Sequence, residues 1–240
     1  MKKILEKYLK LISIVGLLIV LVPLNVYANE NKEIKENTPT DDTYIMVTGI
    51  KEVNDSGIKV SVKRDVLEKI DKEELNQMII DLVKDNDDGE DINIIDISED
   101  YNDLPIENRI EASYRTVTTK SNVQKNRVLE DRYLFSVARG QTKKVSSTYK
   151  YTASATGGYK NLSEITGSAV YTKSVVDTFT GPSSASYNTR EYRIKFYGEK
   201  GNYVQKLYER LANKEKLKKT YSGTYKSAKK AMIYSKDKKI

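Results

Sequence analysis

From Arg127 to the end, the chain keeps a period of two. Arg127 to Val137, Thr142 to Ala155, Ile165 to Thr180, Arg190 to Tyr197, Tyr203 to Leu211, Lys216 to Ser222 and Ala231 to Ser235 alternate apolar with polar side chains and are rich in Tyr, Val, Thr and Ile. Alternation sends successive side chains to opposite faces, which suits a half-buried strand and wastes the face of a helix. Turn-forming residues interrupt the runs at Ala138-Arg139-Gly140-Gln141, Gly157-Gly158, Gly181-Pro182, Gly198-Glu199-Lys200-Gly201, Asn213 and Gly223. Six or seven strands broken in this way predict a basic, mainly antiparallel, β-sandwich-like domain over residues 123–240.

The preceding stretch has a different rhythm. Tyr44 to Val53 and Ile58 to Val62 read as two strands of a hairpin turning at Asn54-Asp55-Ser56-Gly57. Asp71 stands three residues before Glu74, the capping-box spacing, and Leu75, Met78, Ile79 and Leu82 follow at helical spacing, which predicts a helix over residues 72–84. The cluster Asp85 to Gly89 ends it, and Ile92 to Ile97 returns as a strand. The fold class expected is therefore α+β: a small acidic ββαβ unit over residues 43–98, a linker over 99–122, then the basic β domain.

The N-terminus adds an address. Lys2, Lys3, Lys7 and Lys10 precede an apolar run from Leu11 to Leu24, and Val26 and Ala28 occupy the small-residue positions before a cut between Ala28 and Asn29. That pattern predicts a signal peptide over residues 1–28 and a secreted product. The run is shorter than the roughly 20 residues of a spanning helix. Residues 29–42 (NENKEIKENTPTDD) are too polar to offset the entropy of ordering and read as a flexible leader.

Charge divides the remainder. Residues 29–139 hold 16 Lys/Arg against 26 Asp/Glu, and residues 140–240 hold 21 against 7. Either the halves dock on each other or the basic half faces a polyanion.

The chain has no His, Cys or Trp. This removes the Ser-His-Asp triad, thiol nucleophiles, and His- or Cys-ligated zinc, haem and iron-sulfur sites. No cofactor or metal is expected. The Asp85 to Asp91 cluster fails the EF-hand spacing, because a Gly89 in the glycine position puts Lys84 and Ile95 where ligands belong. Ser147 and Lys150 have Ser-x-x-Lys spacing but point to opposite faces of a strand. Glu164, Asp177 and Glu191 are the acids a carboxylate-dependent glycan hydrolase would draw on.

Lys and Arg interleave with Tyr throughout the basic half, and the candidate ligand-binding residues are Lys150, Tyr151, Tyr192, Arg193, Lys218, Lys219, Tyr221, Tyr225 and Lys226. A positive field beside aromatic rings attracts an anionic cell-wall polymer or an anionic membrane surface, with no specific nucleic acid expected. Non-catalytic binding is the favoured reading, and no catalytic residue is assigned. A membrane-active or pore-forming protein is the alternative, because Ser146 to Thr180 loosely resembles the membrane-inserting hairpins of aerolysin-like pore formers, with Gly157-Gly158 as the tip. Its would-be lipid face of Ala153, Ala155, Ala169 and Val175 is modest, and Lys150 and Lys173 lie inside the strands.

The run from Ser136-Val137-Ala138-Arg139-Gly140-Gln141 through Gly181-Pro182 to Arg190-Glu191-Tyr192 resembles a pattern of small exported proteins of low-GC Gram-positive bacteria. The resemblance covers the second half, implies export and a β domain, and carries no activity.

Overall fold

The structure is a computed structural model that describes residues 44–86, 90–99, 114–211 and 214–239. The expected signal peptide, the leader, the acidic turn at 87–89 and the middle of the expected linker, 100–113, lie outside the described residues. In chain order the elements are β1 (Tyr44–Met46), α1 (Lys51–Ser56), β2 (Val60–Lys63), α2 (Arg64–Leu67), α3 (Lys72–Lys84), β3 (Asp91–Glu99), β4 (Tyr114–Ala138), β5 (Thr142–Thr152), β6 (Ser154–Ala155), α4 (Leu162–Thr166), β7 (Val170–Thr180), β8 (Thr189–Leu211) and β9 (Lys214–Lys238). The chain is thus mostly β with a few helices, an α+β protein rich in sheet. Among the described residues, no helix is long and apolar enough to cross a membrane.

Helix α3 forms where its signals place it. Asp71 accepts hydrogen bonds from the Glu73 and Glu74 amides at 2.9 and 3.1 Å. These satisfy two of the donors that a helix start leaves open. Leu75, Met78, Ile79, Leu82 and Val83 make up its buried stripe.

The expected hairpin before it is corrected. Residues 51–56 are helix α1, so β1 and β2 pair antiparallel across a helical connection. Ile50 and Val53 are buried, and Gly57, at φ 71°, ends the helix in the left-handed conformation that glycine adopts without strain. The turn residues Asn54 to Gly57 are therefore a helix end. The unit runs β-α-β-α-α-β, with β2 and β3 parallel.

One sheet spans both halves of the sequence. Its order is β1-β2-β3-β9-β8-β4, with β6 a short extra partner of β9. Strand β3 pairs antiparallel with the last part of β9, from Asp91 opposite Asp237 to Glu99 opposite Lys230. Strands β4, β8 and β9 have 25, 23 and 25 residues, so each runs for about 80 Å at roughly 3.3 Å per residue.

Two pairs of runs expected as separate strands are continuous. The cluster at Gly198 to Gly201 is no turn: β8 passes through it with a register shift between Tyr197 and Gly198. A Cβ at Gly198 would overlap the Ser227 carbonyl, so this glycine permits close approach of β9 and makes no turn. Gly223 likewise lies against the Thr156 carbonyl inside β9. The start of the run expected at Ile165 to Thr180 is helix α4, and residues 114–122 of the expected linker belong to β4.

Strands β5 and β7 form a separate two-stranded ribbon in unbroken register from Thr142 opposite Thr180 to Thr152 opposite Val170. The main sheet therefore has three cores. On one face, α3 and its neighbours pack on Val60, Val62, Ile92, Ile94, Tyr197, Met232 and Tyr234. On the other, Tyr151, Tyr171, Val175 and Phe179 of the ribbon pack on Tyr192, Ile194, Phe196 and Ile233. Farther along, Ile165 of α4 joins Tyr203 and Tyr225. From this third core outward, β4, β8 and β9 continue together as a three-stranded end over residues 114–121, 202–211 and 214–224, with α4 and its flanking loop on part of one face.

The close approach at Gly198 makes a direct prediction. Gly198→Ala lowers stability by more than about 1 kcal/mol, because the native backbone leaves no room for a Cβ. The check is the urea midpoint, which should fall with an unchanged m-value.

Candidate anionic-polymer interface

Many cations of the basic half are taken up inside the fold. Lys195 is fully buried. Its ammonium lies 2.9 Å from Asp85 and 3.4 Å from Asp131. Arg193 bridges Asp131 at 2.9 Å and Glu191 at 2.5 Å, and Lys238 links Glu191 at 3.1 Å to Glu90 at 3.4 Å. The result is a ladder of alternating charge from Asp85 to Glu90. Lys230 meets Glu74 at 2.5 Å, Lys173 of the ribbon pairs with Asp96, and Lys236 donates to Asn86 at 3.0 Å. Tyr234 donates to Asp131 at 2.7 Å; burial first, and then the Asp131 charge, push its phenol far above the ordinary range, so it stays a neutral donor. Buried charges need such partners, and the acids of the first half supply most of them.

The three-stranded end escapes this neutralisation. Its residues 114–121, 202–211 and 214–224 carry eight Lys/Arg and two Asp/Glu. Glu209 holds Lys218 at 2.9 Å, and Glu215 holds Arg115 at 3.2 Å and Arg210 at 3.5 Å. Lys206, Lys214, Lys216 and Lys219 have no acidic partner among the described residues, and Lys219 sits over the Tyr221 ring at 4.8 Å. The register puts Val117, Val204, Tyr208 and Leu217 on one face, with Lys206 among them. Leu217 is 48% exposed and Val204 36%. The other face carries Lys120, whose ammonium lies 4.9 Å from the Tyr225 ring centre. Burial, with Lys229 adding and Glu199 opposing, draws the Lys120 pKa below that of an ordinary lysine.

The nine residues singled out in the sequence do not all reach this end. Lys218, Lys219 and Tyr221 lie on it, and exposed Lys226 stands at its base opposite Lys200 and Ser154. Lys150 is on the ribbon's outer face. Tyr151, Tyr192 and Tyr225 are only 8%, 3% and 1% exposed. Their rings build the cores and are not presented to a partner, and Arg193 is a member of the ladder. Sequence reasoning missed Arg115, Lys206, Lys214 and Lys216. The signal was present: the runs flanking Asn213 form a hairpin, which brings Lys206 and Lys214 to Lys219 onto one tip.

The three acids weighed for glycan cleavage are spread over the fold. Glu191 belongs to the ladder. Glu164 of α4 accepts from Thr116, from Thr118 at 3.4 Å, from Gln205 at 3.2 Å and from Asn161 at 3.3 Å. Asp177 accepts from the Thr178 amide at 2.7 Å. None of these bonds brings two of the three together. Among the described residues, no group of three acidic side chains could hold a metal ion.

The fold defines a sheet-rich α+β protein whose three-stranded end has an excess of cations among the described residues. Comparison with protein-family models, with characterised proteins and with solved structures finds no match.

The ladder has a pH signature. Burial raises the Glu191 pKa, but Arg193 and Lys238 outweigh it and hold the carboxyl below its ordinary value. A depressed folded-state pKa contributes stability that is present above the unfolded value of about 4.3 and is lost as pH falls through the folded value. Glu191→Gln should therefore flatten the decline of the unfolding midpoint below about pH 5. An unchanged slope would show that the carboxylate contributes nothing there.

Proposed function

We propose that the chain is an exported, non-catalytic protein, released by cleavage between Ala28 and Asn29, that holds an anionic polymer of the cell envelope at its three-stranded end. The carrying observation is the concentration of eight Lys/Arg against two Asp/Glu at that end, while Lys173, Lys195, Lys230 and Lys238 are engaged by acids of the first half. Closely spaced phosphates or carboxylates are the complementary chemistry. Tyr221 beside Lys219 and the apolar face at Val204 and Leu217 add contact to a polymer's uncharged backbone. In the same reading the ribbon is the second layer of a sandwich-like domain.

The test is retention on purified cell wall across a salt series. Retention should fall steeply between low and high salt, because exposed charges are screened within about 10 Å at 0.1 M. Replacing Lys206, Lys214, Lys216 and Lys219 together with Gln should weaken it by on the order of 1,000-fold at about 1 kcal/mol per cation. Lys144→Gln with Lys150→Gln, on the ribbon, should leave it nearly unchanged. Salt-independent retention, or equal loss in both variants, contradicts the reading.

A second reading, membrane activity, is favoured by the ribbon alone. Its strands have 11 residues each, within the roughly 9–11 a tilted spanning strand needs. Lys144, Ser146, Thr148, Lys150, Thr172 and Ser174 look outward, whereas Tyr151, Tyr171, Val175 and Phe179 look inward. Lys150 thus lies on the polar face. However, Lys173 shares the apolar face, and Lys143 sits over the Phe135 ring at 4.5 Å. A lysine facing lipid costs about 2–4 kcal/mol at the midplane, which ranks this reading second. Strands β5 and β7 end at Thr152 and Val170, so Gly157-Gly158 is not the tip of a continuous hairpin. Dye release from anionic liposomes is expected if this reading holds, and vesicles that stay sealed at every protein concentration dismiss it.

A further inference from the structure

The three-stranded end also exposes backbone. Strand β4 lies at the margin of the main sheet, and among the described residues no strand pairs with its outer side. An open strand edge offers a row of amides and carbonyls to any chain that can reach it, and folded proteins usually guard such edges.

The other open edges carry guards. Strand β1 has three residues, too few for a stable ladder. Beyond Ser121, β4 shifts register four times, between Ser121 and Gln124, Gln124 and Arg127, Val128 and Glu130, and Tyr133 and Phe135. Asn122 and Asn126 there have φ 52°. Bulges of this kind twist an edge out of pairing geometry. The open side of β9 carries Lys214, Lys216, Lys218 and Lys219, with a register shift beside Leu217. Strand β5 carries Lys143, Lys144 and Lys150. Strand β7 faces a cavity of about 200 Å³ shared with Lys63, Asp65 and Asp96, and is tied there by Lys173.

Tyr114–Ser121 is eight residues of unbroken register, and its two cations are both turned to other groups, Arg115 to Glu215 at 3.2 Å and Lys120 to the Tyr225 ring at 4.9 Å. Between them Thr116, Val117, Thr118 and Thr119 are strand formers with no charge among them. Two copies placed edge to edge about a two-fold axis normal to the sheet would pair these segments antiparallel. The described remainder of β4 would then extend in opposite directions in the two copies. Such an interface closes on itself. What opposes it is charge, because each end brings eight Lys/Arg against two Asp/Glu to the junction.

We propose that an anionic polymer bound at this end triggers pairing of two copies of the chain along Tyr114–Ser121. The polymer neutralises both tips, and backbone pairing along the unguarded edge then holds the dimer. This rests on the proposed function and adds its regulation: binding and self-association are linked through one surface.

The chain contains no cysteine, so single introduced thiols report pairing cleanly. Val117→Cys and Thr119→Cys, alone and mixed, are oxidised with and without long-chain polyphosphate, with Thr220→Cys on β9 of the same face as control. Native mass spectrometry of the unaltered protein under the same conditions gives an independent count of subunits. The expected result is monomer without polyphosphate, dimer with it, and disulfide-linked dimer forming several-fold faster at Val117 or Thr119 than at Thr220. Equal crosslinking at all three sites means that copies merely share a polymer strand, and it overturns the pairing. Polyphosphate binding with monomers only overturns the inference and leaves the proposed function standing. No binding to polyphosphate or to cell wall overturns both.

Discussion

The structure depends on the pairing of β3 with the end of β9. Without it, the first half would be three short strands and helices with one apolar face open, too little to bury a core of its own. With it, Ile92 and Ile94 continue a surface that Met232 and Tyr234 complete, and α3 closes over both. Residues more than 130 positions apart thus form one ladder. Backbone pairing sets their register, and the charge ladder from Asp85 to Glu90 then gives the buried Lys195 its partners.

This arrangement explains the opposite charges of the halves. Of the two possibilities raised by the composition, docking of the halves on each other is what the ion pairs show. Where the halves meet, acids of the first half take up Lys173, Lys195, Lys230 and Lys238. Where β4, β8 and β9 extend past β3, Lys206, Lys214, Lys216 and Lys219 have no acidic partner among the described residues. A net charge summed over the whole chain hides this division, because it averages a neutralised seam with a cationic tip.

What could be read from the sequence was what local chemistry decides. The cap at Asp71 and the stripe from Leu75 to Leu82 specify α3 without help from the rest of the chain. Period two specified strands, but not their ends. Glycine marks a turn in one setting and a close approach in another, and only the position of Ser227 across the ladder decides for Gly198. Helix α1 was missed because its helical spacing is a single pair, Ile50 and Val53, inside a run that also alternates. The site was legible in part for a related reason. Parity within a strand could have put Tyr192, Ile194 and Phe196 on one face and Arg193, Lys195 and Tyr197 on the other. Composition alone treated Tyr192 and Arg193 as neighbours at one surface, yet one is core and the other belongs to the ladder.

The length of the strands follows from the same division. A strand of 25 residues exceeds what the cores require, since their buried residues on β9 run only from Tyr225 to Tyr234, with Tyr221 packed at the margin of the third. The excess at Lys214 to Thr224 is stabilised by cross-strand hydrogen bonds and little burial, and so contributes weakly to folding. Like charges crowded onto it make it weaker still. Under the proposed function, the cations of this extension serve a partner and not the core. An anionic chain lying across the tip would offset the repulsion that the isolated protein has to carry.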